Sequence, residues 1–157
     1  MLASALSKIL KKHEMWLNGE EGGERANLRG ADLSGANIEE EIKNKFFPLA
    51  CPESGSFIGW KKVGGGLIVK LEIPDDAKRS SAYGRKCRAD KALVLRIENQ
   101  DGSISYNDTA YSCRDISFEY EVGKIVTVSN FDEDRWNECS TGIHFFITRQ
   151  EAVDYII

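Results

Sequence analysis

Two side chains near the C-terminus, the thiol of Cys139 and the imidazole of His144, are of the types that form a nucleophile–base pair. The acidic stretch 132–134 precedes them and could orient such a base. A working pair needs hydrogen-bond reach, and five positions of extended chain separate these two side chains. The spacing therefore favours packing: Cys139 buried in the turn that enters a strand, and His144 on one face of the sheet. We assign no catalytic residue from the sequence.

A second candidate site is the segment 75–91, which we predict to be a long loop between two strands. Its six positive side chains are those of Lys78, Arg79, Arg85, Lys86, Arg88 and Lys91. Guanidinium groups suit phosphate, and connections of this length are uncommon unless they are functional. The alternative is a solvated loop whose arginines pair with nearby carboxylates. We predict an anion-binding site here, whose candidate ligand-binding residues are Arg79, Ser80, Arg85, Lys86 and Arg88.

Trp60 stands directly before Lys61 and Lys62 in a predicted strand. An aromatic ring beside an ammonium group can stack on a base and hold a phosphate. The same pattern fits a core tryptophan beside lysines that face the solvent. We add Trp60 and Lys62 to the candidate ligand-binding residues.

No phosphate-binding glycine loop, metalloprotease motif or nucleophile elbow occurs in the sequence. The four cysteines have no CxxC spacing, and two histidines do not complete a zinc pattern. We predict no metal and no cofactor. Four free, largely buried thiols are expected instead, at positions 51, 87, 113 and 139.

The composition indicates a folded protein: 41% of the 157 residues are hydrophobic and 10% are aromatic. A net charge of -4 argues against binding to nucleic acid or to an anionic membrane. No apolar run approaches the roughly 20 residues that span a bilayer. We predict a cytoplasmic protein with no membrane partner.

The apolar periodicity predicts elements that position these candidates. Apolar residues at helical spacing predict an amphipathic helix over residues 4–17, which ends at Asn18 and Gly19. Thr148 and Glu151 form a capping-box pattern that opens a C-terminal helix. Strand-like patterns cover 56–63, 66–73, 91–99, 103–111, 115–129 (two strands hinged at Gly123) and 142–147. We predict an α+β fold with a mostly antiparallel sheet, in a domain spanning residues 53–157.

The stretch "ANLRGADLSGANIEE" (26–40) has a period of five residues, with alanine at 26, 31 and 36 and an aliphatic residue two positions after each. It resembles the pentapeptide repeat, which implies a right-handed, β-helix-like coil. Three repeats fall short of the four that one coil needs, and such units bury their faces only by stacking. We predict an N-terminal region, 1–47, that consists of a helix and a truncated repeat segment.

Residues 55–157, ending in "RWNECSTGIHFFITRQEAVDY", resemble a phage- and prophage-associated domain of unknown function that often follows pentapeptide repeats. This resemblance implies no functional residues. "GIHFF…EAVDY" is also similar to a segment of ADP-ribosyltransferases, although the other signature residues of those enzymes have no clear counterpart here.

We predict a binding or interaction protein whose partner is a host protein or a small anionic ligand bearing phosphate. One alternative is a nucleotide- or NAD-using enzyme that depends on Glu138 or His144. The other is a structural module that self-associates into a homo-oligomer.

Overall fold

The computed structural model describes residues 3–17, 19–27, 49–82 and 84–156. The chain divides into two compact units, Met1–Phe46 and Phe47–Ile157. The predicted pentapeptide segment from residue 28 onward lies outside the described residues. Neither described helix has the length and apolar character needed to cross a membrane.

In the first unit, helix α1 spans Ala3–Leu17. Leu6 and Leu10 are buried, whereas the lysines on the other side of the helix are exposed. The helix is followed by Gly19, whose φ of 69° suits the left-handed turn that commonly follows a helix. The predicted N-terminal amphipathic helix is confirmed.

The second unit contains a four-stranded antiparallel sheet with the order β1-β2-β5-β8. Its strands are β1 (Phe57–Lys62), β2 (Ile68–Ile73), β5 (Lys91–Glu98) and β8 (Ile125–Thr127). A short 3-10 turn, Gly64–Gly66, connects β1 to β2. Val69, Leu71 and Ile73 of β2 are fully buried and form part of the core, as their alternation in the sequence predicts.

A second sheet has the order β3-β4-β9, and β6 and β7 form a separate hairpin. These strands are β3 (Arg79–Ser80), β4 (Cys87–Ala89), β6 (Thr109–Tyr111), β7 (Glu119–Glu121) and β9 (Ile143–Phe145). Helix α2 (Arg149–Asp154) ends the described fold, and Thr148 and Glu151 form the predicted capping box at its start. All pairings among the described strands are antiparallel, so the predicted α+β class is confirmed.

Backbone hydrogen bonds between Trp60 and Phe146 connect the two larger sheets. The amide of Trp60 donates to the carbonyl of Phe146 at 2.8 Å, and the reverse bond measures 2.7 Å. Next to this bridge, a Cβ at Gly59 would lie 2.7 Å from the ring of Phe145, so only glycine allows this ring to pack against β1. The bridge brings Lys61 of β1 close to β9.

One expectation about local structure needs correction, and another is confirmed. The segment 75–91 is not one long loop, because β3 and β4 pair within it and β4 also pairs with β9. The stretch 115–129 does form two strands on either side of Gly123, whose φ is 82°. These strands do not pair with each other: β7 pairs with β6, and β8 with β5.

Candidate functional site

A cavity of about 570 Å³ opens in the second unit, next to the bridge between the two sheets. Its walls come from the end of β1, from β7 and β9, from the turn 112–118 and from the segment 128–142. The lining combines positive, aromatic and sulfur-bearing side chains: Lys61, Lys62, Lys86, Arg114, Phe118, Tyr120, Phe146, Tyr155, Cys113, Cys139 and His144. Asp115 is the one carboxylate among the described residues that line the cavity.

Lys61 lies on the core-facing side of β1. It is paired across the sheet with the fully buried Val69, and residues directly opposite each other point to the same face. Its Nζ donates to the carbonyl of His144 at 3.1 Å. Burial lowers the pKa of this amine from 10.5 to about 8. No carboxylate of the described residues lies within 4.0 Å of Nζ.

Tyr120, from β7, lies next to this ammonium group. The Nζ of Lys61 is 5.8 Å from the centre of the tyrosine ring. Tyr120 is only 2% exposed, and burial raises the pKa of its hydroxyl, so the group stays protonated. Within the described residues this hydroxyl has no hydrogen-bond partner, and Tyr120 lines the cavity. A tyrosine hydroxyl on a cavity wall is suited to hydrogen-bond a bound molecule.

Lys86 and two thiols form a neighbouring part of the wall. The Nζ of Lys86 lies 3.7 Å from the Sγ of Cys139, within the range of a hydrogen bond to sulfur. Cys139 is exposed, which corrects the expectation that it is buried. Cys113, on the turn that follows β6, is partly buried and lines the same cavity.

His144 is a neutral cavity residue. Burial lowers the pKa of its imidazole from 6.5 to about 4. Its Nε2 is 2.9 Å from the carbonyl oxygen of Ser140, which can only accept, so Nε2 carries the proton and Nδ1 is an acceptor. Cys139 and His144 thus line one cavity, but they are not hydrogen-bonded to each other. The imidazole is tied to Ser140 and the thiol to Lys86.

Two predicted ligand-binding residues on β1 have structural contacts. Lys62 lines the cavity, but its Nζ donates to the carbonyls of Val153 and Tyr155 at 2.8 and 3.0 Å. These carbonyls lie at the end of α2, where a positive charge stabilises a helix. The ring of Trp60 has the ammonium of Lys70 at 5.6 Å, and Trp60 is not among the lining residues.

The guanidinium groups of the predicted arginines contact backbone carbonyls or a carboxylate of the protein itself. Arg88 is 2% exposed and donates to the carbonyls of Asp132, Asp134 and Thr141 at 2.8–3.0 Å. Arg79 donates to five backbone carbonyls within its own neighbourhood, those of residues 52, 55, 74, 75 and 77. Arg85 forms an ion pair with Glu151 at 2.6 Å. Lys86 is therefore the residue of this group that lines the cavity.

Four other residues considered from the sequence do not line the cavity. Ser80 is 4% exposed, and its hydroxyl has no hydrogen-bond partner within the described structure. Glu138 accepts from the amide of Gly84 at 2.9 Å. Cys87 is buried, and its contact with Cys51 and its burial raise the pKa of its thiol. Cys51 is buried as well, so these two thiols belong to the core.

The sequence interpretation missed Lys61, Cys113 and Tyr120 as members of one site. One signal was available for Lys61, because it follows Phe57 and Gly59 at alternate positions and precedes Val63 on the same face. A lysine in that register conflicts with a buried face, and such conflicts are expected at functional sites. The sequence left open which face of this strand is buried, because Ile58 and Trp60 make the other face apolar as well.

The comparisons with known proteins identify a family but no activity. A family model described as "Family of unknown function (DUF5758)" matches residues 47–152. Neither the curated proteins nor the solved structures contain a match to this chain. Within the described residues, no group of three or more His, Cys, Asp or Glu side chains is arranged to hold a metal ion.

Proposed function

This chain belongs to that family of unknown function, DUF5758, and we propose that its second unit captures a small anionic ligand in the cavity. The ligand carries a phosphate or carboxylate group and an apolar part about the size of one ring. Binding is the function of the site, in agreement with the expectation of an anionic, phosphate-bearing ligand.

The observation that carries this proposal is the ammonium of Lys61, which faces the cavity without a carboxylate partner among the described residues. Burying a charge is costly unless it is paired, and here the pairing anion is lacking on the protein side. The positive charge of Lys86 also acts on Lys61, since it contributes to lowering the pKa of that amine. An anion between these two lysines offsets both the cost of burying the charge of Lys61 and the repulsion between the two ammonium groups.

The rest of the lining supports a ligand with an apolar part. Phe118, Tyr120, Phe146 and Tyr155 line the cavity, and the rings of Phe146 and Tyr155 lie 5.3 Å apart. A volume of about 570 Å³ falls within the range of roughly 300–1,000 Å³ that is typical of small-molecule sites. The hydroxyl of Tyr120 and the Nδ1 of His144 offer a donor and an acceptor for orientation.

Native mass spectrometry of the full chain, purified from a bacterial host, tests the proposal directly. We expect a retained small anion that is released on denaturation. In parallel, calorimetric titration with pyridoxine 5′-phosphate and with adenosine monophosphate tests ring-bearing phosphates as probes. Lys86→Gln should weaken binding of the bound probe by roughly tenfold, as expected for loss of one partly buried charge contact.

Lys124→Gln is the matched control, because it removes the same charge from a position that does not line the cavity. Equal weakening by both variants would mean that only the overall charge matters, and would contradict the proposal. The absence of both a retained molecule and any measurable binding of the probes would also contradict it.

Further expectations remain part of the proposal. The phage or prophage association, the pentapeptide-repeat segment and a cytoplasmic location are inferred from sequence resemblance and composition alone. The same mass spectra report the number of copies per particle, and so test the self-association alternative. Incubation with NAD, followed by product analysis, tests the alternative of an ADP-ribosyltransferase-like enzyme. A host-protein partner is tested by whether the cavity variants impair capture of that protein.

A further inference from the structure

We propose that Lys61 is an imine-forming lysine, which captures an aldehyde or ketone bearing an anionic group through a covalent C=N bond. This inference rests on the proposed function, because the anionic group of the ligand is held by the same cavity. It goes beyond that function by naming the reactive carbonyl and the nitrogen that attacks it.

The first support is the position of the amine. Lysine becomes a nucleophile when it is desolvated in an apolar site or lies beside another positive charge, and Lys61 has both surroundings. It lies on the core-facing side of β1 and borders the cavity, and Lys86 borders the same cavity. Compared with an amine of pKa 10.5, one of pKa about 8 has roughly 300 times more uncharged form at neutral pH.

The second support is the chemistry of the neighbours. The titratable or charged groups that face Lys61 come from β7, β9, the turn 112–118 and the segment before β4: Tyr120, His144, Cys113 and Lys86. Asp115, on the same turn, also lines the cavity, but its Oδ1 accepts from the amide and hydroxyl of Ser117. Because no carboxylate of the described residues forms an ion pair with Lys61, none holds the amine in its charged form. Tyr120 lines the cavity, and its hydroxyl has no hydrogen-bond partner within the described residues, so it can donate to the carbonyl oxygen of the ligand.

The reaction needs no oxidant and no metal. The uncharged Nζ of Lys61 attacks the carbonyl carbon, a C–N bond forms, and the π electrons move to the oxygen, which takes a proton from Tyr120. The attacking nitrogen, now positively charged, returns a proton to the tyrosinate, which leaves a neutral carbinolamine. The resulting carbinolamine loses its hydroxyl group, together with a proton from nitrogen, as water. The sum is one amine plus one carbonyl giving one imine and one water. Tyr120 serves as the proton donor to the oxygen, and Lys86 holds the anionic group.

Three matched probes separate the covalent step from simple binding. Pyridoxal 5′-phosphate has the ring, the phosphate and an aldehyde; pyridoxal lacks the phosphate, and pyridoxine 5′-phosphate lacks the aldehyde. The full chain is incubated with each probe at a low molar ratio near neutral pH, treated with borohydride, and digested for peptide mass spectrometry. Borohydride delivers hydride to the imine carbon and so makes the linkage permanent.

We expect pyridoxal 5′-phosphate to label Lys61 faster than any exposed lysine, by about two orders of magnitude from the difference in uncharged amine. Pyridoxal should label it at least tenfold more slowly. Lys61→Met should remove this adduct, whereas Lys70→Met, on the neighbouring strand, should leave it unchanged. The site map of the unaltered chain tests the proposal even if Lys61→Met fails to fold.

The outcomes distinguish the two proposals. Binding of pyridoxine 5′-phosphate without a reduced adduct at Lys61 overturns the imine and leaves the anion site intact. Equal labelling of Lys61 by pyridoxal and by its phosphate supports the imine and contradicts the role of the anionic group. Labels spread over the lysines without preference for Lys61 overturn the imine, and a failure of all three probes to bind counts against both proposals.

Discussion

Replacing Lys61 by methionine should change how the stability of the protein depends on pH. The folded state lowers the pKa of this amine from 10.5 to about 8, because burial disfavours the charged form. Between these two values the unfolded chain binds more protons than the folded one, so stability rises as the pH increases through this window. Below about pH 8 the cost of the buried charge is fully present.

The size of the effect follows from the shift. A pKa difference of about 2.5 between the unfolded and folded states corresponds to about 3 kcal/mol in the free energy of unfolding. This figure is an upper bound, because water in the cavity screens the charge. Methionine has a similar length and no charge, so Lys61→Met should be more stable than the unaltered protein at neutral pH. The difference should shrink by about 2–3 kcal/mol as the pH rises to about 10.

Urea unfolding at several pH values, followed by tryptophan fluorescence, measures this difference. Groups away from the cavity that titrate in the same window are common to both proteins and cancel in the subtraction. Lys70→Met controls for removing a lysine from this sheet, because Lys70 lies on β2 with its ammonium 5.6 Å from the Trp60 ring. A stability difference between the Lys61 variant and the unaltered protein that stays constant with pH would refute our account of a desolvated ammonium.

Three further predictions concern His144, Arg88 and Thr148. Because burial lowers the pKa of His144 to about 4, the free energy of unfolding should fall as the pH drops from 6.5 toward that value. His144→Gln keeps a donor for the Ser140 carbonyl, and in urea titrations it should make this loss of stability at acid pH smaller. Arg88→Met should cost about 3 kcal/mol or more in the same assay, since three carbonyls lose their donor. Arg85→Met, at an exposed ion pair, should cost far less, and equal costs would contradict the assignment. Thr148→Ala should lower the free energy of unfolding by about 1 kcal/mol through loss of the capping box, and Thr148→Ser, measured by thermal melting, should restore most of it.

The sequence predicted the elements that depend on local pattern. The capping box at Thr148, the alternation in β2 and the helix stop at Gly19 are properties of neighbouring residues, and each is present. The short strands β3 and β4 could not be read from the segment 75–91. Two or three residues carry no periodicity, and these strands are held by pairing with each other and with the distant β9.

The site was less predictable, because it depends on which distant backbone groups meet each side chain. The guanidinium group of Arg88 is of a type that binds phosphate. In the fold it instead donates hydrogen bonds to backbone carbonyls of the segment 132–141. Nothing in the sequence separates it from Lys86, two positions away, which lines the cavity. The same holds for Cys139 and His144: they are too far apart along a strand to suggest a pair, and only the fold brings both to one wall.

The bridge between Trp60 and Phe146 has a consequence for how occupancy of the cavity can be detected. Phe146 contributes its ring to the cavity wall, while its amide and carbonyl form the seam between the two sheets. Lys61 directly follows Trp60, the residue of β1 that pairs with Phe146. Hydrogen–deuterium exchange at the backbone amides of Trp60 and Phe146 therefore reports whether the cavity is occupied. We expect this exchange to slow when a molecule fills the cavity beside them.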